Sequence, residues 1–418
     1  MKRNNIAIDA IGAPRQNRKT MPKREAPRVG LIGCGGRVRY VLANILKEDP
    51  RIQVVALNDP DATSIAAAKK QFNPKARVHK TFQALAADPE VDWIMIGSWN
   101  VFHAEHAIAA LKAGKHVFCE KPLATTYKDC IALKKAVEAG PGMFSFGLVL
   151  RYAPLYRKVR ELLDAGTVGK ILSFEFNETI APSHGGAIMS GWRRLRKNAG
   201  THLLEKCCHD IDLANWLADS IPVRVASFGG LDFFTPENAF HIKRLGKDKQ
   251  GNEAYKFNPH VQVLGKLKNP FTIDKDIVDN QVAILEYANG VRATFHANSN
   301  AGILERRFYI LGTEGAIRAD AITGIVEWER IGFDTKRKKY DTRVAGGHAG
   351  GDEVMAGYLA ASMTKGVAPR VGLHEAIRSA IACMGIDQAL DTGKVVDLRP
   401  VWKQAGFGKE VAPRRKSA

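Results

Sequence analysis

Arg28-Val29-Gly30-Leu31-Ile32-Gly33-Cys34-Gly35-Gly36-Arg37-Val38 is an apolar strand running into a glycine-rich turn, and Tyr40 to Lys47 continues with helical periodicity. Strand, turn and helix in this order form the context that a dinucleotide-binding fingerprint requires. Gly33 permits the tight turn and Gly35 lets the backbone approach a pyrophosphate. Gly36 and Arg37 open a helix whose free N–H groups favour negative charge. The third position is Val38, where the pattern has a glycine that lets helix pack closely on strand.

Outward from this stretch, a second strand, Gln53 to Leu57, ends at Asn58-Asp59, and Asp59 lies 26 positions past Gly33. A carboxylate at that strand end accepts hydrogen bonds from ribose hydroxyls and repels a 2′-phosphate, which favours NAD over NADP. Arg37 and Arg39 keep NADP open, because a guanidinium near the turn can accept a phosphate. Helical stretches (Ala62 to Gln71, Thr81 to Ala87) then alternate with a buried strand, Trp93 to Ile96, so the sheet is expected to be parallel. Ser98, Asn100 and His103 follow that strand and are expected at the nicotinamide half of the site. His103 and His106 have no carboxylate or thiolate support, so no metal site is expected.

Lys115-His116-Val117-Phe118-Cys119 reads as a further short strand, stopped by Glu120-Lys121-Pro122. In an open α/β sheet ligands lie beyond the carboxyl ends of the strands, so Glu120 and Lys121 face a bound molecule. Phe144 to Leu150 reads as the last strand of the unit, and Arg151-Tyr152-Ala153-Pro154 opens a new helix. Beyond it come longer strands, Ile171 to Ile180, Gln281 to Tyr287 and Val291 to Ala297. The last two are joined at Ala288-Asn289-Gly290, a hairpin signal. Expected is an α/β Rossmann N-terminal domain followed by an α+β C-terminal domain with a largely antiparallel open sheet. The boundaries are a basic arm over 1–28, a dinucleotide-binding domain over 29–150, a substrate and oligomerisation domain over 151–400 and a basic tail over 401–418. Leu203 to Leu217 reads as one helix with Glu205, His209 and Asp212 on one face, so a carboxylate can orient an imidazole.

The 418 residues are 45% hydrophobic and 25% charged, with a net charge of +19. Much of the excess lies at the ends: residues 1–28 hold eight Lys/Arg against two acids, and 401–418 hold five against one. No helix-turn-helix, zinc-finger or aromatic single-strand pattern accompanies this charge, so no specific nucleic-acid partner is expected. The sequence shows neither a membrane span nor a secretory h-region. The six cysteines have no framework spacing, which points to reduced thiols and a cytoplasmic location.

The glycine turn at Gly33, Glu120-Lys121-Pro122, Trp192-Arg193 and Glu205 to Asp212, in this order, resemble the glucose–fructose oxidoreductase and inositol dehydrogenase family, Gfo/Idh/MocA, over roughly residues 29 to 400. Members have Asp where this chain has Glu205, and Gly or Ala where it has Val38. The resemblance implies that Lys121 hydrogen-bonds the reacting oxygen, His209 relays or accepts its proton and Glu205 orients the ring. It also implies a cis Lys121-Pro122 bond, and Glu120 supporting the cofactor or fixing Lys121. Arg151, Tyr152, Trp192, Arg193 and His348 are expected substrate contacts. His348 lies in Gly346-Gly347-His348-Ala349-Gly350-Gly351-Asp352, where glycines allow close backbone approach and Asp352 can cap the helix that follows.

The implied activity is NAD(P)-dependent hydride transfer at a secondary alcohol of a sugar, sugar derivative or cyclitol, by a homo-oligomer (dimer or tetramer). Two alternatives stay open: a glycosidase working by transient oxidation and elimination, and a non-catalytic dinucleotide-binding sensor.

Overall fold

The computed structural model describes residues 26–255 and 268–412. Most of the basic N-terminal arm, part of the stretch 238–275 and the last six residues of the basic tail lie outside the described residues.

Six parallel strands form the first sheet: β1 (Arg28–Ile32), β2 (Gln53–Asn58), β3 (Arg77–Val78), β4 (Trp93–Ile96), β5 (His116–Cys119) and β6 (Phe144–Phe146), in the order β3-β2-β1-β4-β5-β6. Every residue of β4 is buried. A parallel sheet is covered on both faces, so its central strands read as unbroken apolar runs. Strand order reverses between β1 and β4, and the crevice at their carboxyl ends is the switch point where such sheets bind ligands.

Val38 takes up its departure from the glycine pattern by a reciprocal exchange. It is fully buried, and a Cβ on Gly97 would come within 2.6 Å of the Val38 Cβ. The small residue needed for close packing stands at the end of β4 instead of on the helix.

Nine strands form the second sheet: β7 (Ile171–Thr179), β8 (Pro222–Gly230), β9 (Asn280–Tyr287), β10 (Arg292–Asn298), β11 (Arg307–Gly312), β12 (Gly315–Asp320), β13 (Ile325–Arg330), β14 (Lys338–Asp341) and β15 (Val396–Asp397). Their order is β14-β13-β12-β11-β7-β10-β9-β8-β15, antiparallel except for the β7–β10 pair. Along β9 and β10, Ala283, Leu285, Ala293, Phe295 and Ala297 face the core. On the opposite face Phe228, Val282, Ile284 and Leu311 are exposed, with Phe228 directly opposite Val282.

One hydrophobic core runs through both sheets. A smaller core (Ile180, Ile188, Met189, Phe234, Tyr255, Phe271, Ile277) seats the described part of the 238–275 stretch on the helix Pro182–Ser190.

Two expectations need correction. β6 stops at Phe146, and Val149–Tyr152 is a single 3₁₀ turn rather than more strand. The basic C-terminal tail is docked as far as it is described. Its helix Arg399–Gln404 buries Trp402, whose Nε1 donates to the Pro222 carbonyl at 2.7 Å, and Phe407 and Val411 are buried after it.

The second correction bears on the site. The expected helix Leu203 to Leu217 is two helices, His202–Lys206 and Cys208–Leu217, broken at Cys207 (φ −93°, ψ 6°). The Glu205 carbonyl, which would accept the next helical rung from the His209 N–H, is taken by Lys121 Nζ at 2.5 Å. A side chain inserted into the helical ladder breaks it at that point.

Candidate active site

The end of β5 carries Glu120 and Lys121 into the crevice, and the Lys121-Pro122 peptide bond is cis, as the resemblance implies. Lys121 Nζ bonds the Glu205 carbonyl and lies 3.2 Å from Glu205 Oε1. That same carboxylate oxygen accepts from Arg193 Nε at 2.7 Å. Burial alone would raise the Glu205 carboxyl, but Lys121 and Arg193 outweigh it and hold the group well below the usual carboxylate range. It is therefore a fixed anion shared by two cations.

Glu205 does not orient His209. The carboxylate is committed to Lys121 and Arg193. His209 is 3% exposed, and its Nδ1 has no hydrogen-bond partner among the described residues. Burial pulls its pKa well below the ordinary histidine value, and Lys121, His348, Arg306 and Lys206 push the same way. The ring is therefore a neutral imidazole with an unused polar atom. Its centroid lies 5.6 Å from that of His348.

At the cofactor end, Gly33 has φ +80°, and a Cβ there would sit 2.4 Å from the Ser98 amide nitrogen, so only glycine fits. A Cβ on Gly35 would meet nothing within 4 Å, and the helix Gly36–Glu48 begins with no side-chain cap. Open space beside an uncapped helix N-terminus matches the requirements of a pyrophosphate. Asp59 accepts from the Cys34 N–H at 2.6 Å and the Asp61 N–H at 2.8 Å, which fixes a carboxylate at the end of β2. Arg39 is engaged with the Cys34 carbonyl and Gln71. The residues present fit a dinucleotide.

The other expected cofactor contacts hold the crevice walls through protein partners. Arg37 Nε donates to Glu120 Oε1 at 2.9 Å, and its Nη1 lies 2.8 Å from Asp352. Ser98 Oγ pairs with His106 Nδ1 at 3.0 Å, and Asn100 Nδ2 donates to the Ala199 carbonyl at 2.8 Å. The buried His103 ring sits between the carbonyls of Pro122 (2.7 Å) and Ser98 (3.0 Å).

Among the expected substrate contacts, Arg151 and Tyr152 are turned into the core. Arg151 forms a two-pronged ion pair with buried Asp212 (2.7 and 2.8 Å), which also removes Asp212 from the expected catalytic face. Tyr152 is 2% exposed and packs on Tyr358. Trp192 and Arg193 do reach the crevice. Trp192 stacks on Trp99 with centroids 5.2 Å apart and planes 3° from parallel, and the Arg193 guanidinium lies 4.5 Å from the Trp192 ring centre. Nothing in the spacing of Trp99 distinguishes it in the sequence.

Asp352 does not act as the helix cap. The capping position is Gly350, and the Asp352 carboxylate instead bonds His348 Nδ1 at 2.7 Å.

Beneath the site lies a buried ionic cluster absent from the sequence reading. Arg306 pairs with both oxygens of Asp210 at 2.8 Å and with Glu178 at 3.1 Å, and Lys206 holds Glu178 at 2.6 Å. Glu178, Cys207 and Asp210 bring potential ligand atoms within 4.8 Å of one another. Two cations already neutralise the two carboxylates, so a metal ion there would have to displace Arg306 or Lys206.

Residues 27–148 match the profile described as an oxidoreductase family with an NAD-binding Rossmann fold, and residues 156–318 match the C-terminal domain of the same family. The chain belongs to the Gfo/Idh/MocA family. It is 30% identical over 195 residues to an inositol 2-dehydrogenase of Gluconacetobacter diazotrophicus, covering 46% of this chain and 54% of that one. It is 32% identical over 196 residues to inositol 2-dehydrogenase 3 of Saccharopolyspora erythraea, again 46% and 54%. The chain thus spans about half the length of these curated relatives. A levoglucosan dehydrogenase solved with NADH and levoglucosan shares the fold, with a TM-score of 0.70 at 20% identity over 89% of this chain and 99% of that one. No helix among the described residues is long and apolar enough to cross a membrane.

Replacing Arg306 by Met leaves Glu178 and Asp210 buried with only Lys206 to offset them. The expected loss is about 3–5 kcal/mol, read from equilibrium denaturation. A loss under about 1 kcal/mol would show the cluster to be solvated.

Proposed function

We propose that this protein is an NAD-dependent dehydrogenase acting on a secondary alcohol of a sugar, sugar derivative or cyclitol. The observation that carries the reading is the Lys121 ammonium, pinned by the Glu205 carbonyl and carboxylate in the same crevice as His209, whose Nδ1 has no partner among the described residues. The relatives named for inositol oxidation support the substrate class. Asp59 at the end of β2, with Arg39 engaged elsewhere, supports NAD over NADP.

Gly33, Gly35, Gly36 and Asp59 would hold the dinucleotide, which when bound supplies the hydride acceptor. The protein's own part is positional and acid–base. An ammonium has three donors, and Glu205 takes two of them, so Lys121 keeps one for the alcohol oxygen. That charge-assisted bond favours the alkoxide as it forms. His209, neutral at working pH, takes the proton. Glu205 fixes the lysine, a different task from orienting the imidazole. The Trp99–Trp192 stack and Arg193 border the same crevice and provide an apolar face and a cation for the rest of the substrate.

The first assay follows absorbance of reduced nicotinamide with NAD or NADP against monosaccharides, cyclitols, sugar acids and glycosides. NAD with one substrate class is the expected signal. Glycoside cleavage without accumulation of reduced cofactor would move the assignment to the eliminating glycosidase. Lys121→Ala is expected to lower kcat/KM by roughly 10²-fold or more while NADH binding persists; turnover at the normal rate would remove Lys121 from the chemistry.

A lowered histidine pKa keeps the base form to lower pH. The depressed Glu205 carboxyl keeps its ion pair with Lys121 until the pH falls through that low folded value. The acid limb of kcat/KM is therefore expected below pH about 6.5, the ordinary histidine value. A limb above pH 7 would contradict a neutral His209.

The exposed apolar row of Phe228, Val282, Ile284 and Leu311 lies on the open face of the second sheet. We place the contact between copies of this chain there. Light scattering should give a dimer or tetramer at micromolar concentration, shifted toward monomer by Ile284→Lys. A wild-type monomer would rule the contact out.

A further inference from the structure

The His209 and His348 imidazoles lie side by side, with centroids 5.6 Å apart and planes tilted by 55°, and of the two only His348 is bonded to a carboxylate among the described residues. The Asp352 carboxylate accepts from His348 Nδ1 at 2.7 Å, so the proton of neutral His348 sits on Nδ1 and Nε2 is left as the acceptor. The loop is shaped around this contact. His348 and Ala349, neither of them glycine, have φ of +50° and +53°, between Gly346 at +121° and Gly350 at +80°. A Cβ on Gly347 would come 2.3 Å from Asp352 Oδ2. Left-handed backbone at non-glycine residues is costly and persists where surrounding structure imposes it, commonly at functional sites. Helix capping does not account for the loop, since Asp352 caps nothing.

The charges around the two rings set a direction. Lys121, Arg306 and Lys206 all disfavour a proton on His209, whose own helix offers it no acceptor. Burial lowers the His348 pKa as it does that of His209, and Arg37 and Arg306 add to it, but His348 has the Asp352 carboxylate in direct contact to offset them. A cation is thus better held at His348 than at His209. Arg37 ties Asp352 to Glu120 and to the cofactor helix, which fixes the carboxylate from behind.

We propose that His348 is the terminal proton acceptor of the site, with Asp352 as the residue that positions it. The inference rests on the dehydrogenase reading. A bound nicotinamide would supply the acceptor for the C–H hydride and its two electrons as the alcohol becomes a carbonyl; the proton is left to the protein's own residues. The O–H bond breaks, its proton passes through the His209 imidazole, and a new N–H bond forms at His348 Nε2. The resulting imidazolium is paired with Asp352 and returns its proton to solvent.

The test begins with the ¹⁵N-histidine-labelled protein without cofactor or substrate. His348 and His209 signals are assigned by their loss in His348→Gln and His209→Gln. At pH 7 His348 is expected as the Nδ1–H tautomer, and on acidification it should protonate before His209. Asp352→Asn should lower the proton affinity of His348 roughly tenfold or more, and should lower kcat by a similar factor with KM changed less than about threefold. An Nε2–H tautomer at His348, or protonation of His209 first, overturns the proposal. So does an Asp352→Asn protein that melts earlier yet leaves the His348 titration unmoved, because that is the result of a purely structural contact. If the wild-type protein turns over no alcohol, the dehydrogenase reading fails on that assay, while the tautomer and the order of protonation still decide the His348–Asp352 assignment.

Discussion

The site depends on one buried carboxylate held between two cations. Glu205 accepts from Arg193, and Lys121 reaches both its side chain and its main-chain carbonyl. A carboxylate this deep is tolerable only when it is paired and hydrogen-bonded, and here the partners come from opposite sides of the crevice. Lys121 follows β5 of the parallel sheet, whereas Arg193 and Glu205 lie between β7 and β8 of the second sheet. The pairing that offsets Glu205's burial therefore also fixes the distance between the two halves of the site, and it interrupts the helix that would otherwise carry Glu205 and His209 together.

The same logic operates on the cofactor side. Arg37 opens the helix after the glycine turn and is shared between Glu120 at the end of β5 and Asp352 in the late helix Gly351–Lys365. Three distant segments meet at one guanidinium. Val38, next to it, can be large because Gly97 across the gap is small. Packing density constrains the sum of the two volumes, so the small residue can stand on either side of the gap.

Much of this was legible from residue patterns. Gly33, Asp59 and the alternation of short apolar strands with helices specify a parallel sheet with a dinucleotide crevice, because turn conformation and strand burial are local properties. The Ala288-Asn289-Gly290 hairpin and the period-two pattern of β9 and β10 mark the second sheet for the same reason. Lys121 stands at a strand end before a proline, a position that alone also suits a solvated charge; the resemblance carried by Glu120-Lys121-Pro122 and the later Glu205 to Asp212 run is what singled it out.

Partnership was not legible. Four-residue spacing pairs Glu205 with His209 only if the helix is continuous, and a lysine 84 positions away decides that it is not. Arg151 at the domain junction was a reasonable substrate contact until Asp212 claimed it. Trp99 and Arg306 carry no local signal, since stacking and buried ion pairing join residues far apart in the chain. The sequence by itself therefore determined the two kinds of sheet and the glycine turn that suits a dinucleotide, and its resemblance to a family pointed to the lysine. Only the tertiary structure decided which carboxylate serves which cation and which imidazole, because those contacts are set by long-range packing that no local spacing encodes.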